Sequence, residues 1–400
     1  MSSERVPSGS QALLDRDQEL AEIDTLIDAA ATEQGAFVVL EGRSGMGKSA
    51  LLAEVRKRAA ASGFTTCSAL GSELEGEFAF GVIRQLFEPA IGALNKGERA
   101  RVFEGAAALA EPVLGIGGEP MARDQFAALH GLYWLAANLS ARTPVLLAVD
   151  DSHWADVASL RWLAYLLNRL EGLPIMAAVA ARPVRSGPQG AVLAAILAHP
   201  AVRILPLRPL GEGSVAALVR ITLDAEPHPV FTAACLQATA GNPLGVSELL
   251  RELRADGVAP SRAAAGGLDL RPPEAINRRV LRDLSRLGNE AGRLARALAV
   301  MGDGTRLPLV ARLADLEVDR AAEVTDDLQS ADLLTPERPP RFAHPLLRAA
   351  VYDHLPAGAR QKLHRRAGQI LGSEGAEPEA VAAHLLRCEA DRSAETIECL

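Results

Sequence analysis

Eight residues, Gly42-Arg43-Ser44-Gly45-Met46-Gly47-Lys48-Ser49, constrain this chain of 400 residues more than any other stretch. They lie between a short apolar run, Phe37-Val38-Val39-Leu40, and a segment of helical period, Ala50 to Ala61. Glycines at 42, 45 and 47 let the backbone turn tightly, so that successive N–H groups converge on an anion, and the helix N-terminus adds the positive end of its dipole. The spacing G-x-x-x-x-G-K-[ST], with strand before and helix after, is that of a loop that cradles phosphates. In such a loop Lys48 reaches the β- and γ-phosphates and the Ser49 hydroxyl ligates magnesium. The expected nucleotide contacts are Gly42, Arg43, Ser44, Gly45, Met46, Gly47, Lys48, Ser49 and Ala50, with ATP or ADP and Mg2+ as the bound species.

Further buried runs occur at Phe64 to Ala69, Val145 to Val149, Ile175 to Ala180 and Val202 to Leu207, separated by helix-period segments such as Gln125 to Leu139 and Ala155 to Leu170. Continuous apolar strands alternating with helices predict a parallel sheet covered on both faces, an α/β P-loop fold over residues 13–210. The run Val145-Leu146-Leu147-Ala148-Val149 ends in Asp150-Asp151. A central strand cannot hide two carboxylates, so they must emerge at its C-terminal edge, where open α/β sheets bind ligands. Asp150 is the expected magnesium partner, and Asp151 the group that orients or polarises the attacking water. Arg182 follows the Ile175 to Ala180 strand on the same edge, where its guanidinium can sense the γ-phosphate. The catalytic candidates are thus Lys48, Asp151 and Arg182, and the metal candidates Ser49 and Asp150. His153 and Trp154, just after the acidic pair, read as packing and as support behind the acidic pair, not as catalytic groups.

Beyond residue 210 the strand pattern stops. Residues 211–255 predict a small helical lid and residues 256–273 a Gly- and Pro-rich linker. Residues 274–355 read as helices followed by a hairpin around Leu333 to Phe342, a winged-helix-like arrangement. Residues 356–400 form a helical pair at the start of a repeat region, and residues 1–12 a flexible N-terminus. A net charge of −8 argues against a chain that tracks a nucleic-acid backbone. The basic series Arg278, Arg279, Arg282, Arg286, Arg293 and Arg296 is interrupted by Glu274, Asp283 and Glu290, as on a solvated helix face. The four cysteines form no C-x-x-C pair, and no apolar run is long enough to span a bilayer. A cytoplasmic protein with reduced thiols and no membrane contact is expected.

Several motifs occur together: Leu13-Leu14-Asp15-Arg16-Asp17-Gln18-Glu19-Leu20, the phosphate loop, Gly71-Ser72-Glu73-Leu74-Glu75 with Phe80 to Phe87, Asp150-Asp151-Ser152-His153-Trp154-Ala155-Asp156, Gly241-Asn242-Pro243 and Phe342-Ala343-His344-Pro345-Leu346-Leu347-Arg348. In this combination the chain resembles the large ATP-binding LuxR-type transcriptional regulators of actinobacteria, in the STAND branch of AAA-related ATPases. The resemblance implies a switch that ADP holds closed and ATP opens, with self-association in the ATP state. It also implies that Arg16 approaches the base, that Pro243 packs on adenine and that His344 touches the ADP β-phosphate. Full-length relatives continue through a tetratricopeptide-like sensor to a helix-turn-helix, so no direct DNA contact is expected from this chain, and a protein or small-molecule effector would act through the helical C-terminal region. Two positions depart from the family pattern. Asp15 stands where Gly is usual, placing a carboxylate near the expected adenine site. Gly245 replaces a bulky apolar residue, which predicts a loose start to the helix after Pro243.

Three functions fit these residues: a regulatory ATP switch with slow hydrolysis, an ATPase with fast turnover, and an ATP-binding interaction scaffold.

Overall fold

The computed structural model describes residues 13–72, 78–116, 125–183, 187–266, 268 and 273–388. The expectations for residues 1–12, for Glu73 to Glu75, for most of the linker's second half and for Cys399 fall outside them. The chain divides into two compact units, Met1–Arg208 and Pro209–Leu400.

The first unit is a parallel sheet of β1 (Ala36–Glu41), β2 (Thr65–Leu70), β3 (Val145–Asp150), β4 (Ile175–Ala181) and β5 (Val202–Pro206), in the order β2-β3-β4-β1-β5. Successive side chains of a strand face opposite sides, and here both sides are dry. Phe37, Val39, Leu147, Val149, Ala177 and Val179 enter one core, and Val38, Leu40, Leu146, Ala148, Ala178 and Ala180 the other. Helices α1 (Asp17–Ala31) and α2 (Lys48–Ala61) cover the second face through Ile23, Ile27, Leu51 and Val55. The first is covered by α3 (Gly81–Gly92), α4 (Lys96–Val102), α5 (Gln125–Ser140), α6 (Val157–Leu167) and α7 (Gly187–Leu197), where the Phe87 ring meets Trp162 edge-on at 5.4 Å. This double burial is why the central strands read as unbroken apolar runs. The edge strands need less: β2 buries only Cys67 and Ala69, and β5 only Leu205.

β4 pairs in parallel with both β1 and β3. The segments that leave β1, β4 and β3 therefore emerge side by side at one edge of the sheet. They carry the phosphate loop, Arg182 and the acidic pair.

The second unit is helical: α8 (Glu212–Leu223), α9 (Pro229–Thr239), α10 (Pro243–Ala255), α11 (Arg262–Ala265), α12 (Glu274–Leu287), α13 (Asn289–Met301), α14 (Leu307–Leu313), α15 (Val318–Ser330), α16 (Pro345–Asp353), α17 (Ala357–Ser373) and α18 (Pro378–Leu385). The hairpin between α15 and α16 pairs through a single antiparallel bridge, Leu334 with Phe342, flanked by Thr335 N–H to Arg341 O at 2.8 Å. The start of α10 is firm rather than loose. Pro243 occupies its first turn, Asn242 Oδ1 accepts from Gly245 N–H at 3.1 Å, and Gly245 is buried against Thr239. The basic series on α12 and α13 is partly neutralised by Arg279 with Asp283 at 3.5 Å and Arg293 with Glu290 at 3.9 Å. No helix among the described residues is long and apolar enough to cross a membrane.

Where α16, α17 and α18 meet, Tyr352 Oη lies 2.8 Å from His364 Nε2, and His364 Nδ1 lies 2.9 Å from His384 Nδ1. Both histidines are buried. One proton between the two Nδ1 atoms satisfies both rings, whereas two would place like charges in contact. Burial, and then the neighbouring His384, push His364 down from 6.5 to about 4. A histidine held neutral in the fold binds its proton more readily when unfolded, so its contribution is complete above pH 6.5 and is lost as pH falls toward about 4. Thermal melts are expected to show this loss across that window, and His384→Gln, which cannot take the charge, should flatten it.

Candidate functional site

The phosphate loop takes its shape from two glycines with positive φ, Gly45 at 80° and Gly47 at 87°. Any L side chain at Gly47 would be strained, although a Cβ there would meet nothing within 4 Å. Gly47 caps α2 without a side chain, and the first turn of α2 holds no acidic residue. The first turn of α2 therefore supplies no acidic side chain of its own to its N–H groups and dipole. Lys48 is buried and lies along the loop, with Nζ donating to Gly42 O at 2.6 Å and Arg43 O at 3.0 Å. Ser49 and Ala50 follow it, exposed on the first turn. A cradle of this kind, open, rich in N–H donors and holding one buried ammonium, fits a polyphosphate.

Asp150 ends β3, and its Oδ1 accepts from Asp151 N–H at 2.8 Å. Asp151 then adopts the left-handed conformation, φ 44°, which Asp tolerates better than most residues. This turn sets the two carboxylates apart instead of along one strand. The 3-10 turn that follows, Ser152–Trp154, is fixed to the neighbouring strand by Ser152 Oγ donating to Ala180 O at 3.0 Å. Burial, and then Asp150, raise the Asp151 carboxyl above its ordinary value, and Arg182 and Lys48 pull it down. Arg182 itself donates from Nη2 to Ser44 Oγ of the phosphate loop at 3.4 Å. The Ser49 hydroxyl and the Asp150 carboxylate are the hard oxygen donors that magnesium prefers.

Arg16 sits at this loop in an unforeseen way. Its guanidinium is buried and donates to Asp15 O at 3.0 Å, Met46 O at 3.2 Å and Arg208 O at 2.8 Å, with Glu19 Oε1 at 3.5 Å. It clamps the back of the phosphate loop to both ends of the unit. Asp15 has φ 55°, which explains in physical terms why glycine suits that position. Pro243 and His344 belong to the second unit. Pro243 opens α10, and His344 stands at the N-cap position of α16 without a side-chain cap bond, its pKa lowered to about 4 by burial and then by Arg279.

Two further residues shape the site: His153, read from the sequence as packing and support, and Asp156, to which the sequence reading gave no role. The His153 side chain is 9% exposed, with Nδ1 3.9 Å from Asp151 Oδ1. Asp156 is the hub of the surrounding loops. Its Oδ1 accepts from Phe80 N–H and Ser159 N–H, both at 2.8 Å, and its Oδ2 from Val82 N–H at 3.3 Å and Ser159 Oγ at 2.6 Å. The D-x-x-x-x-D spacing from Asp151 to Asp156 was the available signal. A helix cap at the start of α6 would have accounted for Ser159 but not for the link to α3.

Residues 12–179 match the AAA ATPase domain family. Among solved structures, a Walker-type ATPase of Pyrococcus abyssi superposes with a TM-score of 0.57 at 13% identity, over 87% of this chain and 99% of its own. A STAND protein with a tetratricopeptide repeat sensor from Pyrococcus horikoshii gives a TM-score of 0.40 at 15% identity, over 95% of this chain and 49% of its own. An uncharacterized protein of Rhizobium meliloti (strain 1021) is 27% identical over 393 residues, 88% of this chain. The chain spans 36% of that relative's length. The first unit thus carries an AAA-type P-loop ATPase domain, which implies nucleotide binding.

Close packing behind the acidic pair leads to a prediction. A Cβ at Gly71 would lie 2.3 Å from Asp151 O and 3.0 Å from Ala155 N, so Gly71→Ala must displace the Asp151 turn. Asp156→Ala would strand the buried N–H groups of Phe80 and Val82. Each is expected to destabilise the fold by about 2–4 kcal/mol, measured by urea unfolding, with Asp156→Asn intermediate.

Proposed function

We propose that the first unit binds ATP with magnesium and hydrolyses it slowly, and that the state of the nucleotide, more than its turnover, is the output. The observation that carries this reading is the convergence of Lys48, Arg182, Asp150 and Asp151 on one sheet edge, with Arg182 in contact with Ser44 of the phosphate loop. The loop N–H groups from Gly42 to Ser49, with Ala50 behind them, hold the phosphates, and Lys48 moves from the carbonyls of Gly42 and Arg43 onto the β- and γ-oxygens. Ser49 and Asp150 hold the magnesium ion, which would neutralise charge on the phosphates. Asp151 orients a water and takes its proton as the water oxygen bonds to the γ-phosphorus and the bond to ADP breaks. Arg182 stabilises the charge on the transferred group.

Slow turnover follows from the short Asp151 side chain on a rigid left-handed turn, a poor reach for a water-positioning group. The finer reading, a nucleotide switch of a LuxR-type regulator that self-associates in the ATP state and takes its effector through the helical C-terminal region, rests on the sequence resemblance.

Lys48→Ala is expected to weaken Mg-ATP binding about 10- to 100-fold by calorimetry, the cost of a lost charge-assisted contact. Asp150→Ala should abolish the dependence of affinity on magnesium. Unchanged binding in Lys48→Ala would falsify the site. Steady-state turnover well above about 1 s⁻¹, the low end of ordinary enzymes, would replace the switch with an ATPase whose output is hydrolysis itself. Binding without phosphate release would leave a scaffold.

A further inference from the structure

The His153 ring lies beside Trp154, centroids 5.2 Å apart. Both ring nitrogens are buried, and neither has a hydrogen-bond partner among the described residues. A buried polar atom without a partner costs about 1–3 kcal/mol, a cost usually found where the group serves a state other than the resting one. The ring is held next to the proposed catalytic carboxylate, with Nδ1 3.9 Å from Asp151 Oδ1 and out of hydrogen-bond reach by about 1 Å. It also lies within the field of the two site cations, Arg182 and Lys48. The backbone of its turn is anchored to β4 through Ser152, so the remaining freedom belongs to the side chains of His153 and Asp151.

We propose that His153 is a positioning residue for hydrolysis: its Nδ1–H closes on Asp151 Oδ1 when Mg-ATP is bound and turns the carboxylate toward the attacking water. This rests on the ATPase reading above. The hydrogen bond fixes one carboxylate oxygen and leaves the other to accept from the water. The two ring nitrogens point away from each other, so His153 acts on the water only through Asp151. The new bond joins the water oxygen to the γ-phosphorus, the water's proton passes to Asp151, the bond to ADP breaks, and His153 ends with the proton it began with. Burial, Arg182 and Lys48 push His153 down to about 3, so the ring that donates is neutral.

The test uses the full chain with His153→Leu and His153→Asn, the second retaining an amide donor near the position of Nδ1. For His153→Leu we expect affinity for magnesium with a non-hydrolysable ATP analogue to stay within about twofold of the parent, while the single-turnover rate of bound ATP falls about 10- to 100-fold, one charge-assisted contact. The melting temperature of the nucleotide-free protein should rise, because the unpartnered nitrogens are gone. His153→Asn should recover part of the rate. Independently of activity, NMR of the ring nitrogens should report a neutral Nδ1–H tautomer whose Nδ1 resonance moves when magnesium and the analogue are added. A His153→Leu rate equal to the parent, a parallel loss of affinity and melting temperature, or a ring unmoved by the analogue overturns the proposal. A parent chain that binds no nucleotide overturns the ATPase reading instead.

Discussion

Burying both faces of a parallel sheet leaves its charged side chains one way out, along the edge where the strands end. Everything in the first unit follows from that restriction. Strands β1, β3 and β4 are buried along nearly their whole length, and the chain turns polar only at or just past the C-terminal end of each, at Glu41, Asp150 and Arg182. The strand order puts β4 between the other two, so the cation it delivers falls between a loop shaped for an anion and a pair of carboxylates. Opposite charges that would be costly in the core become complementary at its rim.

Much of this is legible in the sequence, for reasons that depend on locality. The phosphate loop is readable because spacing, glycine φ and the flanking strand and helix are all set within about 25 residues of one another. The acidic pair is readable because an apolar run cannot end in two carboxylates anywhere but at an edge. Strand order is not readable, because it is fixed by pairings between residues far apart in sequence, such as Val39 with Val179. The same is true of Arg16, whose acceptors include the carbonyl of Arg208, and of Asp156, which reaches back to Phe80. Gly245 misled for a different reason: the residue it replaces suggested a lost packing contact, while the helix start is held by the Asn242 cap and does not need one.

His153 shows the limit most clearly. In the sequence it sits in Asp-Ser-His-Trp, where an aromatic and a histidine after an acidic pair look like packing and support for the sheet edge. Only the left-handed turn at Asp151 and the Ser152 anchor carry the ring inward, where its nitrogens lose water and gain no protein partner. The left-handed φ, the raised carboxyl and the unsatisfied ring all fall within three residues, a local concentration of unfavourable terms. A fold selected for stability alone would discard all three.

The Arg16 clamp has a consequence outside the site. One guanidinium grips the carbonyl of Met46, inside the phosphate loop, and the carbonyl of Arg208, the last residue before the second unit begins. The two carbonyls share a single rigid planar group, so the loop cannot shift its backbone at Met46 without loosening or dragging the point where the chain leaves the first unit. Both bonds come from one nitrogen, Nη2, so the loop carbonyl and the exit carbonyl are held one donor apart.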